Sequence, residues 1–238
     1  MSVLTTDLTD HLALVTGASG GIGKATCLAL ASMGCSIAAH YNSNADKAAA
    51  LVEELKAKGV KAQAFQADVN NYDEVRRLHA SVTANLGAPT ILFNNAGLSL
   101  GKTVHSISDI SIEEFETTWR ANCGSAFLLT QLCMPAMETA GWGRVIFCSS
   151  VAGFNGGVIG PHYASSKSAL HGLVHWLANI HSKSGITING SLTPQRTTEI
   201  PLGRLGYPEE IAETVIWMVK TGYVTNKVVG VDGGFFVQ

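Results

Sequence analysis

Tyr163-Ala164-Ser165-Ser166-Lys167 sets a phenol and an ammonium four residues apart. On a helix that spacing puts both side chains on one face, about one turn from each other. A phenol with an unperturbed pKa near ~10 exchanges its proton poorly at neutral pH unless a nearby cation favours its anion. Lys167 supplies that cation. Ser150 closes an apolar run upstream of the tyrosine, where its hydroxyl can be brought beside the phenol to hydrogen-bond a substrate oxygen. Tyr-x-x-x-Lys alone is common on helix surfaces, and a second motif at the front of the chain gives it meaning.

That motif is the run Thr-Gly-Ala-Ser-Gly-Gly-Ile-Gly over residues 16–23. It follows a predicted strand and opens a predicted helix, where a pyrophosphate can rest on backbone N–H groups and the positive end of the helix dipole. Gly17, Ser19, Gly21, Ile22 and Gly23 are the candidate contacts. The spacing is Gly-x-x-x-Gly-x-Gly rather than the commoner Gly-x-Gly-x-x-Gly. A glycine cluster can be only a tight turn, but the strand-then-helix context points to a dinucleotide. Dinucleotide folds selective for NAD carry an acid at the end of the second strand. Here that place reads His40-Tyr41-Asn42-Ser43-Asn44, with no carboxylate before Asp46. Tyr41, Asn42 and Ser43 would meet a 2′-phosphate with polar donors, although no arginine is offered. NADP(H) is favoured over NAD(H).

Short apolar runs alternate with helical patterns to position these groups. Strands are predicted over 11–16, 36–40, 61–66, 90–93, 144–148, 187–191 and 228–231. Helices are predicted over 23–33, 46–58, 73–86, about 112–139, to about 181 around Tyr163, and 208–219. This alternation gives an α/β class: a Rossmann-type, doubly wound, mainly parallel sheet with helices on both faces, in a single domain over 1–238. The 238 residues are 46% apolar and 14% charged, enough for a substantial core with some helical surface left to a second subunit. A net charge of −2 argues against nucleic acid or an acidic membrane as partner. No run of eighteen apolar residues suggests a membrane span. Cys27, Cys35, Cys123, Cys133 and Cys148 have no metal-ligand spacing, so no metal is expected, and their odd, scattered count suits a reduced compartment. The first ten residues lack a signal or transit pattern, so a cytoplasmic protein is expected.

Together these residues resemble the short-chain dehydrogenase/reductase family nearly end to end. The resemblance is carried by residues 16–23, Asp68-Val69, Asn94-Asn95-Ala96-Gly97, Asn122, Ser150, Tyr163, Lys167 and Val231-Asp232-Gly233-Gly234. Pro201-Leu202-Gly203-Arg204-Leu205-Gly206, followed by Pro208-Glu209-Glu210, is similar to the 3-oxoacyl-carrier-protein-reductase-like branch. The resemblance implies that Asp68 and Val69 hold the adenine, and that Asn95, with Ala96 and Gly97, lines the ribose channel. It implies that Tyr163 gives a proton to a ketone, and that Lys167 grips the nicotinamide ribose and lowers the tyrosine pKa. Ser150 would polarise the carbonyl, and Asn122 would hold a water linking Lys167 to solvent. Ser149 is the rival serine; strand alternation separates the two, and the family spacing to tyrosine selects Ser150. Asn122 has a helix cap or kink as its alternative, and Asp68 a turn. His162 reads as pocket lining rather than as an acid or base.

One departure concerns substrate. Between Pro194 and Pro201 the chain is too short for the helical flap that such proteins place over substrate and nicotinamide, so the lid is short or missing. The leading expectation is an NADP(H)-dependent reductase of a ketone, with a small carbonyl compound, such as an acyl thioester, as substrate. The alternatives are a secondary-alcohol or polyol dehydrogenase and a nucleotide-binding regulatory protein with little turnover. A homotetramer is expected, because Phe127, Leu128, Leu173, Trp176 and Leu177 give two helices apolar residues over more than one face. Phe235 and Phe236 read as exposed aromatics near the end of the chain.

Overall fold

The apolar runs form strands whose side chains alternate between two cores. The computed structural model describes residues 4–101, 104–193 and 200–236. β1 (Leu12–Val15) sends Leu12 and Leu14 to one face of the sheet, and Ala13 and Val15 to the other. Such near-continuous apolar strands are what a sheet covered on both faces requires. α1 (Gly21–Ala31), β2 (Ser36–Tyr41), α2 (Ala45–Ala57), β3 (Ala62–Gln66), α3 (Tyr72–Leu86) and β4 (Ile91–Asn94) follow as strand and helix in turn. The second half supplies α4 (Ile112–Trp119), α5 (Ser125–Ala140), β5 (Gly143–Cys148), a short α6 (Ala152–Asn155), α7 (Pro161–His181), β6 (Ile186–Leu192), α8 (Pro208–Lys220) and β7 (Lys227–Gly230).

All seven strands pair in parallel, in the order β3-β2-β1-β4-β5-β6-β7. One core packs α3, α5 and α7 on the sheet through Val75, Leu129 and Val174, with Phe147 at its centre. The other packs α1, α2 and α8 through Leu30, Leu51 and Val215 around Phe93. The strand order reverses between β1 and β4, and a crevice opens at the carboxyl ends of strands where an order reverses in this way.

The predicted long helix over about 112–139 is interrupted. Arg120–Gly124 forms one π turn between α4 and α5, and Asn122 lies inside it. A π turn widens the helix by one residue and redirects the side chains it carries, and such turns recur at functional sites. α6 was hidden in sequence because Gly153, Gly156 and Gly157 read as loop. Leu128 and Leu177 face the core, whereas Phe127 and Trp176 are exposed, so the expected second apolar face is narrower than the sequence suggested. Phe235 and Phe236 are half-buried against the α3/α5/α7 core, with Phe236 stacked on Phe154, so they are not free aromatics. The expected short lid falls at 194–199, outside the described residues. Among the described residues no helix is long and apolar enough to cross a membrane.

Candidate active site

Lys167 is the buried charge around which the site assembles. The residue is 4% exposed, and its ammonium donates one hydrogen to the Cys148 carbonyl at 2.6 Å. No carboxylate partners it among the described residues, and burial lowers its pKa. An ammonium has three donors. Two of them have no protein acceptor among the described residues, which suits a polyhydroxyl ligand such as a ribose. The Nζ lies 5.7 Å from the centre of the Tyr163 ring, on the face that the four-residue spacing predicted. Tyr163 is itself buried.

Asn122 reaches the same place from the π turn. Its Oδ1 accepts the Leu98 N–H at 2.7 Å, while its Nδ2 donates to the Leu98 carbonyl and to Ser166 Oγ, both at 3.0 Å. Ser166 in turn donates to the Tyr163 carbonyl at 2.8 Å. Gly97 measures the closeness: a Cβ placed there would lie 3.3 Å from Asn122 Oδ1 and 3.4 Å from Lys167 Nζ. The chain leaving β4, the π turn and α7 therefore meet at one point. The π turn that carries Asn122 breaks the regular α-helical bonding at this point.

The two serines after β5 have separate partners. Ser149 Oγ donates to the Lys167 carbonyl at 3.1 Å, and so accepts from His171 Nε2 at 2.8 Å. Burial, then His175 and Lys167, push the His171 pKa down to about 4, so this imidazole is neutral at pH 7. Ser149 is thus a bolt between β5 and α7. Ser150 Oγ makes only a long bond to the Thr193 carbonyl, at 3.3 Å, and accepts the Ala152 N–H at 3.2 Å. Its hydroxyl proton is the more easily redirected of the two. His162 is fully buried at the start of α7, near Gly160 and Val104.

A cavity of about 360 Å³ runs from Gly17 and Ser19, past Asn42 and Ser43 at the end of β2, to Asp68 and Val69. Asn95, Ala96 and Gly97 form its other wall. A second, of about 390 Å³, continues from Gly21, Ile22 and Gly23 toward Thr193, Leu205 and Pro208. The sequence-derived contacts in the glycine turn, at the end of β2, at Asp68 and Val69 and at 95–97 border these two clefts at the strand-order reversal, apart from Tyr41. Tyr163 and Lys167 line neither, and Lys167 approaches the first behind Gly97. Tyr41 does not line the cavity; His40 does. Adjacent strand residues point to opposite faces, and His40 shares the parity of Ala38, which was the signal available in sequence. Asp68 keeps both of its expected readings, since its Oδ1 accepts the Asn70 N–H in a turn at 2.9 Å while the residue also lines the cavity. A nicotinamide dinucleotide fits this donor set: glycine amides at a helix N-terminus, polar side chains at β2 and a buried ammonium with donors to give.

Comparison with known proteins agrees with this geometry. The family model described as short chain dehydrogenase matches residues 11–200. Nodulation protein G of Azospirillum brasilense is 32% identical over 97% of this chain and 100% of its own length. The 3-oxoacyl-[acyl-carrier-protein] reductase FabG of Staphylococcus aureus is 33% identical over 94% of this chain and 98% of its own. The 3-oxoacyl-[acyl-carrier-protein] reductase of Synechocystis sp. is 34% identical over 96% and 98% respectively. With a family match across most of its length and relatives that align end to end, the chain belongs to the short-chain dehydrogenase/reductase family and is an NAD(P)-dependent oxidoreductase of its FabG-like branch.

Proposed function

We propose that the protein reduces a ketone to a secondary alcohol, with a β-keto acyl thioester or a similar β-keto compound as substrate. NADPH, when bound, supplies the hydride. The observation that carries this reading is the buried Lys167 ammonium beside the Tyr163 ring, with two donors left for a ribose. Tyr163 gives its phenolic proton to the oxygen that becomes the alcohol, so charge is neutralised as it develops. Ser150 turns its hydroxyl from the Thr193 carbonyl to that same oxygen and polarises the carbonyl before reaction. Lys167 holds the nicotinamide ribose and favours the phenolate left after proton transfer. Asn122, held to Leu98 and Ser166, fixes the water that links Lys167 to solvent.

The preference for NADPH rests on the end of β2. Asn42 and Ser43 line the cavity there beside Asn44, which precedes the N-terminus of α2, and no acid stands at the strand end to repel a 2′-phosphate. The thioester reading rests on the printed names of the relatives and on the neutral loop after Ser150, which holds no Asp, Glu, Lys or Arg from 151 to 162. A panel of ketones that includes an acetoacetyl thioester, assayed with NADPH and with NADH, tests both points. Faster turnover of the thioester with NADPH is expected. A preference for NADH removes the reading of β2, and turnover confined to simple ketones removes the thioester.

A further inference from the structure

His40 is a buried titratable group with no part in the proton transfer, and its ring touches two walls of the cofactor cleft. Its Nε2 lies 3.0 Å from the Ala67 carbonyl, which can only accept, so Nε2 carries the hydrogen. Its Nδ1 accepts the Gly17 N–H at 3.1 Å. Only the neutral Nε2–H tautomer makes both bonds. Burial favours that neutral form by lowering the pKa. Asp68, at the end of β3, is the charged group facing the ring; β1 and the turn over residues 16–20 bring none. The backbone of the same residue adds a third link, because the Ala18 N–H donates to the His40 carbonyl at 2.8 Å.

We infer that His40 is a positioning residue for the cofactor turn: its imidazole ties the Gly17 amide to the Ala67 carbonyl and so sets, before binding, the gap between the phosphate turn and the adenine wall. The inference rests on the reading of this cleft as a nicotinamide dinucleotide site. The opposite flank of the turn is already pinned. Thr16 Oγ1 accepts the Asn95 and Ala96 N–H groups, each at 2.9 Å, and Asn95 Nδ2 donates to the Thr16 carbonyl at 2.8 Å. Gly17 adopts φ +66°, a conformation its neighbours must hold in place. On the β2 side, the imidazole and carbonyl of His40 do that for two successive amides. Without the ring, the Gly17 N–H loses its acceptor and the turn is held on the β2 side by the Ala18 bond to the residue 40 carbonyl alone. Apparent affinity then falls by the fraction of molecules that keep the competent turn. The reacting groups sit on β5 and α7 and are untouched.

The test is a titration of wild type, His40→Leu and His40→Asn with NADPH and NADH, followed by nicotinamide fluorescence. His40→Leu is expected to raise both Kd values about tenfold, the scale of one lost hydrogen bond. kcat at saturating NADPH should fall by far less. His40→Asn places an amide oxygen near the position of Nδ1 and should recover most of the affinity. Two-bond 1H–15N spectra of the wild-type protein should show the His40 Nε2–H tautomer, which decides the matter even if the leucine variant does not fold. Binding by His40→Leu within about twofold of wild type overturns the inference. So does an Nδ1–H tautomer, or a loss confined to kcat. If wild type binds neither nucleotide, the reading of the cleft fails and the inference falls with it; wild-type binding with an unaffected leucine variant removes the inference alone.

Discussion

Single side chains divide the work between adjacent positions. Ser149 and Ser150 have the same chemistry, but only Ser149 is locked by a second side chain, His171. Ser150→Ala is expected to lower kcat by about 10²–10³-fold, because it removes a donor to the developing oxyanion. Ser149→Ala should instead cost stability, about 1–3 kcal/mol, by leaving the His171 N–H without its acceptor. Steady-state kinetics and denaturant melts of the two variants check this, and equal kinetic losses would contradict it. His171 also gives the fold a pH dependence of known sign. Its folded pKa is about 4, against an unfolded value near ~6.5. Between those values the unfolded chain binds the extra proton, so stability is full above about pH 6.5 and declines as pH falls toward 4. His171→Gln retains a donor for Ser149 without titrating, and should flatten that decline in Tm measured across the window.

At the level of elements, the π turn is the feature that positions Asn122. Gly124 ends it, and a Cβ there would run into the Tyr72 hydroxyl from the start of α3. Gly124→Ala should therefore destabilise the protein by about 1–3 kcal/mol through overpacking and lower kcat by displacing Asn122. Tyr72→Leu in the same chain should restore part of both, as thermal melts and kinetics will show; a fully active, fully stable Gly124→Ala would contradict it. Most of this organisation was legible in the sequence. Apolar runs bounded by glycines marked all seven strands within one or two residues, and the four-residue spacing foretold that Tyr163 and Lys167 would be neighbours on α7. The misses have local causes. A π turn leaves the helical pattern of Phe115, Trp119 and Phe127 almost unchanged, so Asn122 read as part of one long helix. His40 and Tyr41 are both plausible at a strand end, and only the parity set by Ala38 separates them. The bond from His171 to Ser149 joins α7 to β5 and has no one-dimensional signature.

At the scale of the whole molecule, apolar surface remains on the outer helices. Trp176 is 62% exposed on α7 and Phe127 48% on α5, and Phe127 lines a surface cleft together with Phe115, Trp119 and Leu173. Patches of this kind on a charge-poor chain suit a self-complementary two-fold contact. Sedimentation at micromolar concentration should give a homotetramer of the 25.0 kDa chain, and a single monomeric species would contradict this. The central claim concerns the whole enzyme at work: a ketone reduced with NADPH, and Tyr163 as the proton donor. It is tested most directly by comparing wild type with Tyr163→Phe, measuring NADPH Kd and NADPH-dependent reduction of an acetoacetyl thioester on the same preparations. The expected result is a Kd for NADPH nearly unchanged in the variant, with kcat lower by about 10²–10⁴-fold. A wild-type protein that binds NADPH yet reduces no ketone, or a Tyr163→Phe variant that retains more than a small fraction of wild-type kcat, would contradict the account.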